Sequence, residues 1–380
     1  FSLPIAHCFG AGDEKRLQIY FVNSVYLSAF FGIALSIGAA LLSGVILQMM
    51  QTPANIFKYA YEYLAIIFAG IFVTIFYNLF ANVSRALGDS KTPLYFLVVG
   101  FFCNIVFDLL FILVFNGGTA GAALATVFSQ FVSAAACLIY MIKKFPVLRV
   151  PKKLWRFDFF TSVQLLKMGM PMALQFSITA IGGIILQSTI NPFGSNMVAA
   201  ITAASQVQMI LTQPMEALSA TIATYSSQNL GAKRLDRIKH GVKSALLMTS
   251  VFSILSYIIS RVFGGTIATL FISAQEIEIM ARIKEYLLYC GLFFIPLGTL
   301  LILRSTVQGL GYSLSAMFAG IFELAARAFM GIFFVRTMGF IAVCFSNPAA
   351  WIAANILLIP VYLYVIKDLK AQLAQPEKHS

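Results

Sequence analysis

The sequence predicts an all-α polytopic membrane protein, from its composition, its long apolar segments and the placement of its charges. Apolar residues make up 60% of the 380 residues, and Asp, Glu, Lys and Arg together only 11%, whereas about 25% charged residues is usual for a soluble domain. The mean hydropathy is +0.88. A chain with so few charges cannot cover a surface that faces water, so we expect it to lie in a lipid bilayer.

Long apolar segments recur along the chain, and each reaches or approaches the ~20 residues that a helix needs to cross a bilayer. Because backbone groups in lipid must find partners within their own segment, we expect these segments to be helices. Residues 1–9 resemble the end of a further span. The pattern predicts ten complete spans, at residues 17–47, 56–84, 93–115, 120–142, 162–190, 196–226, 238–261, 277–303, 315–334 and 349–366.

The basic residues are placed as expected for a membrane protein, although a net charge of +12 would also suit a nucleic-acid-binding protein. Successive predicted loops alternate between the two sides of the membrane. The loops of one side, counted with Lys167 and with Arg304 in a predicted loop at 304–312, contain 20 of the 26 Lys and Arg. The loops of the other side contain five. This asymmetry predicts that the first set of loops faces the cytoplasm. We therefore expect a multi-pass protein of the cell membrane, in a bacterium the inner membrane, with its linker and C-terminus cytoplasmic and without a nucleic-acid partner.

The longest connector divides the chain into four parts. We predict an N-lobe at 1–142, a basic cytoplasmic linker at 143–160, a C-lobe at 161–366 and a cytoplasmic tail at 367–380. Short motifs recur in the two lobes at separations of 221 to 223 residues: Gly10-Ala11 and Gly231-Ala232, Leu87-Gly88 and Leu310-Gly311, and Gly118 and Gly339.

These motifs lie at equivalent loops in the same order, which indicates a duplicated six-helix unit. Because the equivalent loops are predicted on one side of the membrane, the two six-helix lobes should be parallel repeats related by a pseudo-two-fold axis along the membrane normal. By this alignment the first helix and most of the second precede residue 1. Such a duplication is typical of a secondary transporter.

Several of these segments together resemble the multidrug and toxic compound extrusion (MATE) family. They are FGAGD at 9–13, RALGDS at 85–90, GAALAT at 121–126, QNLGA at 228–232 and the spacing of Pro214, Ala217, Tyr225 and Gln228. The resemblance implies a two-lobed antiporter that exports organic compounds in exchange for H⁺ or Na⁺ by alternating access. It implies no cofactor besides the coupling ion.

Asp108 is the first candidate for the site of the coupling ion, because a charged side chain in the middle of a span costs about 2.5–3.5 kcal/mol on insertion scales. Asn104 lies four residues earlier on the same helical face, and Thr126 lies in the next span. Their oxygens could hold Na⁺, or Asp108 could bind a proton; otherwise Asp108 and Asn104 form only a hydrogen-bonded clip between helices. In the resembling family these three positions match the cation site of the N-lobe, whose further acidic partner is on the first helix.

Other polar residues within the spans are candidates for the C-lobe. Glu323 and Arg327 are four residues apart and would form either a structural ion pair, which we favour, or a charge relay. Glu216, two residues after Pro214, is either an acid of the substrate cavity or an ordinary polar residue at a kink. Gln175 would line the cavity. Some family members carry an acid after the proline of the seventh helix, and residues 172–179 contain none.

Two other functions remain to be weighed against export of cationic compounds. A flippase for lipid precursors would favour a basic cavity, whereas Arg327 is the main basic residue predicted within the spans. An intramembrane enzyme is not supported by this sequence, which lacks the HExxH and GxSxG motifs of zinc proteases and α/β-hydrolases. We therefore expect a transporter rather than an enzyme, with the lipid bilayer and a small-molecule substrate as its partners. No feature indicates an oligomeric state.

Overall fold

Every regular element in the described residues of the computed structural model, 1–273 and 275–374, is helical. Two π-helical segments, Leu109–Val114 and Met330–Phe334, continue α5 and α12. The α-helices are α1 (Ser2–Ala11), α2 (Glu14–Met49), α3 (Ala54–Ala69), α4 (Ile71–Ala86), α5 (Lys91–Asp108), α6 (Gly118–Lys144), α7 (Phe159–Ile190), α8 (Ser195–Gly231), α9 (Leu235–Ala268), α10 (Ile277–Gly291), α11 (Phe294–Gly309), α12 (Ser313–Phe329), α13 (Val335–Met338) and α14 (Phe340–Ala374).

The predicted all-α membrane architecture is confirmed, although one span differs from the prediction. Eight helical segments in the described part of the chain are long and apolar enough to cross a membrane, and the bent pair α10–α11 makes a ninth. The predicted span at 196–226 corresponds to α8, which has 37 residues but is not among these segments. Ser, Thr and Gln recur along α8 and lower its hydropathy, while many of its residues are buried within the second unit.

The chain forms two compact units, residues 1–166 and residues 167 onward. In the first unit, α4 packs against α1, α2 and α6, and α5 packs against α6. In the second unit, α8 packs against α9, α10 and α11, and α12 packs against α14. Each unit has its own core of buried apolar side chains.

The second unit contains a broken helix where the sequence predicts one continuous span, and the first unit contains a milder interruption within the span at 54–86. The predicted span at 277–303 is divided into α10 and α11, which meet at an angle of 54°. Pro296, in the first turn of α11, has no N–H to bond and its ring clashes with the carbonyl four residues earlier, so the helix breaks at residues 292–293. In the first unit α3 and α4 are separated at Gly70, where an added Cβ would collide with Val127 of α6.

The backbone repeats between the units at the separation that the motifs indicate. The two π segments begin at Leu109 and Met330, 221 residues apart. Positive φ angles recur at the ends of equivalent helices, with Gly88 at 91° and Gly311 at 94°. Glycine is suited to both positions because it lacks the Cβ that makes this conformation strained. These recurrences agree with the predicted duplication.

Candidate functional site

Asn104 and Asp108 lie one turn apart at the end of α5, where the helix changes from α to π. The π segment Leu109–Val114 follows Asp108 directly, and both side chains are partly exposed. π-Helical turns are frequent at functional sites because they redirect neighbouring side chains. The sequence indicates the i, i+4 pair but contains no signal for the π segment.

Neither side chain of this pair has hydrogen-bond partners for all of its polar atoms among the described residues. Among the described residues, the Asp108 carboxylate forms no hydrogen bond or ion pair, and the Nδ2 atom of Asn104 is buried without an acceptor. The interhelical clip that the sequence also allowed is therefore not formed in this part of the chain. A carboxylate and an amide without protein partners can accept a ligand.

Thr126 lies on α6, the helix that packs against α5. Its hydroxyl donates to the Ala122 carbonyl at 3.1 Å, so its oxygen lone pairs are free to accept. The structure thus places the three predicted residues on one pair of packed helices, without a hydrogen bond joining them. One turn after Thr126, Gln130 accepts a hydrogen bond from Thr74 of α4. Sequence reasoning missed this pair, although the spacing from Thr126 places Gln130 on the same helical face.

The second unit contains a buried ion triad rather than the ion pair that the sequence predicts. Glu323 accepts hydrogen bonds from Arg304 and, at 3.3 Å, from Arg327. Their exposed fractions are 3% for Glu323, 8% for Arg304 and 7% for Arg327. The assignment of Arg304 to a loop is therefore wrong. Helix α11 extends to Gly309, because residues 299–308 contain no proline or glycine that would end it.

The triad continues into a hydrogen-bonded chain that links several helices. Arg327 donates through Nε to Asn347 Oδ1 of α14 at 3.1 Å, and Asn347 donates through Nδ2 to the Tyr286 hydroxyl oxygen of α10 at 3.0 Å. Two N–H groups remain without an acceptor among the described residues, Nε of Arg304 and Nη1 of Arg327. The triad therefore holds an excess of donors and of positive charge.

Glu216 and Gln175 differ in their access to the surface of the second unit. Gln175 is 4% exposed, and its Oε1 accepts from Gln308 Nε2 at 2.6 Å, so it joins α7 to α11 rather than lining an open cavity. Glu216 of α8 is exposed and lies within electrostatic range of Arg304. One turn further, the Ser219 and Ser305 hydroxyls form a hydrogen bond of 2.6 Å between α8 and α11.

Comparisons with known proteins find relatives by sequence and matching folds by structure. The MatE family model matches residues 2–110 and 171–334. The probable multidrug resistance protein YpnP of Bacillus subtilis is 32% identical over 314 residues, which are 81% of this chain and 68% of YpnP. The probable multidrug resistance protein YoeA of the same organism is 26% identical over 378 residues, 96% of this chain and 81% of YoeA.

A solved structure described as "Crystal structure of MATE in the bent conformation" matches the fold with a TM-score of 0.89. It is 22% identical, and the match covers 98% of this chain and 84% of that one. At this identity the likeness concerns the fold. The fold of this chain is therefore that of the solved MATE structure.

Proposed function

Because this chain belongs to the MatE family of multidrug efflux transporters, we propose that it exports small organic compounds, cationic or amphipathic, in exchange for H⁺ or Na⁺ by alternating access. The coupling ion binds at Asp108, with Asn104 and Thr126. The observation that carries the proposal is the Asp108 carboxylate, which lies in a membrane helix without a partner among the described residues. Such a group is costly in lipid, so a function is the simplest reason for its presence.

The chemistry of the three side chains suits either coupling ion. A carboxylate oxygen, an amide oxygen and a hydroxyl oxygen are hard ligands of the kind that bind hard cations such as Na⁺. A proton on Asp108 would remove the charge from the span in the same way. In both cases the bound ion neutralises Asp108, and the exposed Glu216 is a second acid that can attract a cationic compound.

The test is efflux of ethidium from cells that express the full natural protein or its Asp108→Asn variant, measured with and without a proton or sodium gradient. We expect gradient-dependent efflux that the variant loses, with both proteins present in the membrane at similar levels. Glu14→Gln, which removes an exposed acid at the start of α2, is the matched control and should transport normally. Normal export by Asp108→Asn would refute the ion site and leave the family assignment unchanged.

A flippase for lipid precursors is a second candidate, supported by Arg304 and Arg327. These two buried guanidinium groups share one carboxylate, and each has an N–H without an acceptor among the described residues. An anionic headgroup, such as a pyrophosphate, would satisfy both N–H groups. Translocation of a short-chain lipid pyrophosphate in proteoliposomes, lost in Arg327→Gln, would favour this function. Efflux of ethidium that depends on Asp108 would favour the first.

A further inference from the structure

An apolar cavity of about 460 Å³ lies in the first unit. Helices α2, α4 and α6 form its walls, and the linker contributes Leu148 and Trp155. Every lining residue is Ala, Val, Leu, Ile, Phe or Trp. The volume falls within the range of about 300–1,000 Å³ that is usual for ligand sites. A charged or strongly polar solute would lose its hydration there without gaining hydrogen bonds, so the occupant has to be hydrocarbon.

The cavity is not lined by Asn104, Asp108 or Thr126. Phe72, Phe76 and Phe80 line it at four-residue intervals along α4. Thr74 and Asn78 lie two positions away, and therefore on the opposite side of the helix. Thr74 is the residue that bonds Gln130 of α6. The phenylalanine side of α4 thus faces the cavity, and the polar Thr74 and Asn78 do not line it.

The linker beside the cavity is strongly basic. The linker, residues 143–160, contains six Lys and Arg and a single acid, Asp158. Lys144 pairs with Asp89 at 2.7 Å, and Arg149 donates to backbone carbonyls of α6. The other four are exposed and form no ion pair with any described residue: Lys143, Lys152, Lys153 and Arg156.

Trp155 joins the basic linker to the apolar cavity. It lines the cavity and packs edge-on against Tyr26 of α2, with ring centroids 6.3 Å apart. Its chain neighbours include Lys153 and Arg156. Tryptophan is enriched where the hydrocarbon of a membrane meets the headgroups. The position of Trp155 beside the exposed Lys153 and Arg156 therefore suits a cavity mouth at that level.

We propose that the cavity binds one acyl chain of an anionic phospholipid, whose headgroup is held by the basic residues of the linker. The apolar walls fit the chain, and the four unpaired cations fit a phosphate with a net negative charge. Basic clusters next to a membrane helix attract anionic lipids in this way. The bound lipid would connect α2, α4 and α6 to the linker that leads into α7.

The two tryptophans of the chain allow a direct test, because only Trp155 lines the cavity. Trp351 is buried in the second unit, 4% exposed, and is replaced in a Trp351→Phe background. The purified full chain is mixed with detergent micelles that contain phospholipids brominated on the acyl chain, which quench nearby indole fluorescence. We expect brominated phosphatidylglycerol to quench Trp155 at a lower mole fraction than brominated phosphatidylcholine.

Two variants distinguish a specific lipid-binding site from general contact with lipid. Ala135→Phe fills the cavity and should weaken quenching by phosphatidylglycerol. Lys152→Gln/Lys153→Gln should lower the apparent affinity for phosphatidylglycerol about fivefold for each lysine, which corresponds to the attraction of one basic residue to an anionic lipid surface. Lys239→Gln/Lys243→Gln removes the same charge from exposed positions on α9 and should have no effect.

Equal quenching by the two lipids, unchanged in Ala135→Phe, would overturn the proposal and indicate ordinary contact with the surrounding lipid. Native mass spectrometry of the unaltered chain gives a second measurement that needs no tryptophan variant. Retention of one phosphatidylglycerol in preference to phosphatidylcholine supports the site, and the absence of any preference refutes it.

Discussion

Arg304 of α11 and Glu323 of α12 form an ion pair inside the second unit, although 19 residues separate them in the chain. Glu323 also accepts from Arg327 on its own helix, so two guanidinium groups share one carboxylate. Burial removes water from all three. Their mutual attraction offsets that cost only while every member is present, which makes the triad sensitive to the loss of its single acid.

Glu323→Gln should therefore destabilise the second unit. The change leaves two buried arginines without an anion, and breaking a buried ion pair in this way costs about 3–5 kcal/mol. We expect a clearly lower Tm in detergent and a lower yield of folded protein. Asp236→Asn, which breaks the exposed pair with Arg234, is the control and should leave the Tm nearly unchanged.

A second variant distinguishes a structural triad from a functional one. The triple variant Arg304→Met, Glu323→Leu and Arg327→Leu removes both positive charges together with the acid. Apolar replacements of buried ionic groups are often neutral for stability, so this variant should regain most of the Tm that Glu323→Gln loses. If it folds and exports normally, the triad only supports the fold; if it folds without transport, the charges take part in the cycle.

The Asp89–Lys144 ion pair should make the first unit sensitive to acid. Burial tends to raise the pKa of Asp89, but hydrogen bonds from Lys144 and Thr92 outweigh it and lower that pKa to about 2. An unfolded Asp has a pKa of about 3.9. The stabilisation is thus present above pH ~4 and is lost as the pH falls from about 4 to 2.

Asp89→Asn should accordingly lower the Tm at neutral pH. The difference in Tm between this variant and the unaltered chain should shrink below pH ~4. Thermal unfolding in detergent from neutral to acidic pH measures this difference. Lys144→Gln removes the other partner, 2.7 Å away, and the two losses should be less than additive in the double variant. A difference in Tm that stays constant with pH would contradict the lowered pKa of Asp89.

Gly309→Ala should destabilise the contact between α11 and α8. A Cβ at Gly309 would collide with the Ala223 carbonyl oxygen and lie 3.0 Å from its carbonyl carbon, so a helix backbone has to move. Overpacking of this kind costs about 1–3 kcal/mol, which a lower Tm would reveal. At Gly183 on α7 no described atom lies within 4 Å of an added Cβ, so Gly183→Ala should be tolerated; equal effects of the two changes would refute the close contact.

The basic linker should face the cytoplasm. In a background without reactive native cysteines, Lys153→Cys should react with an impermeant maleimide only after the cells are permeabilised. Ser195→Cys, at the exposed start of α8, is predicted on the other side and should react in intact cells. Reaction of Lys153→Cys from outside would reverse the topology that the charge distribution predicts.

The sequence was sufficient for the membrane architecture, the family and the duplication. Hydropathy and the span length that a bilayer requires are local properties, so nine of the ten predicted spans correspond to apolar helical segments of the described chain. The glycines at 88 and 311 are also local signals, because a positive φ angle restricts the residue type at one position. Asp108 stands out for the same reason, as a charge in an apolar segment. Its role as an ion site stays a prediction.

Only the tertiary structure decided which of these residues meet. Arg304 followed an apolar segment and resembled a loop residue, and its place beside Glu323 depends on how α11 packs against α12. The apolar cavity likewise requires side chains from three helices and the linker, whose separate sequences resemble ordinary lipid-facing segments. Periodicity determines which face of a helix is apolar, but it carries no information on the neighbouring helix that the face contacts. That choice depends on the summed packing of the whole unit.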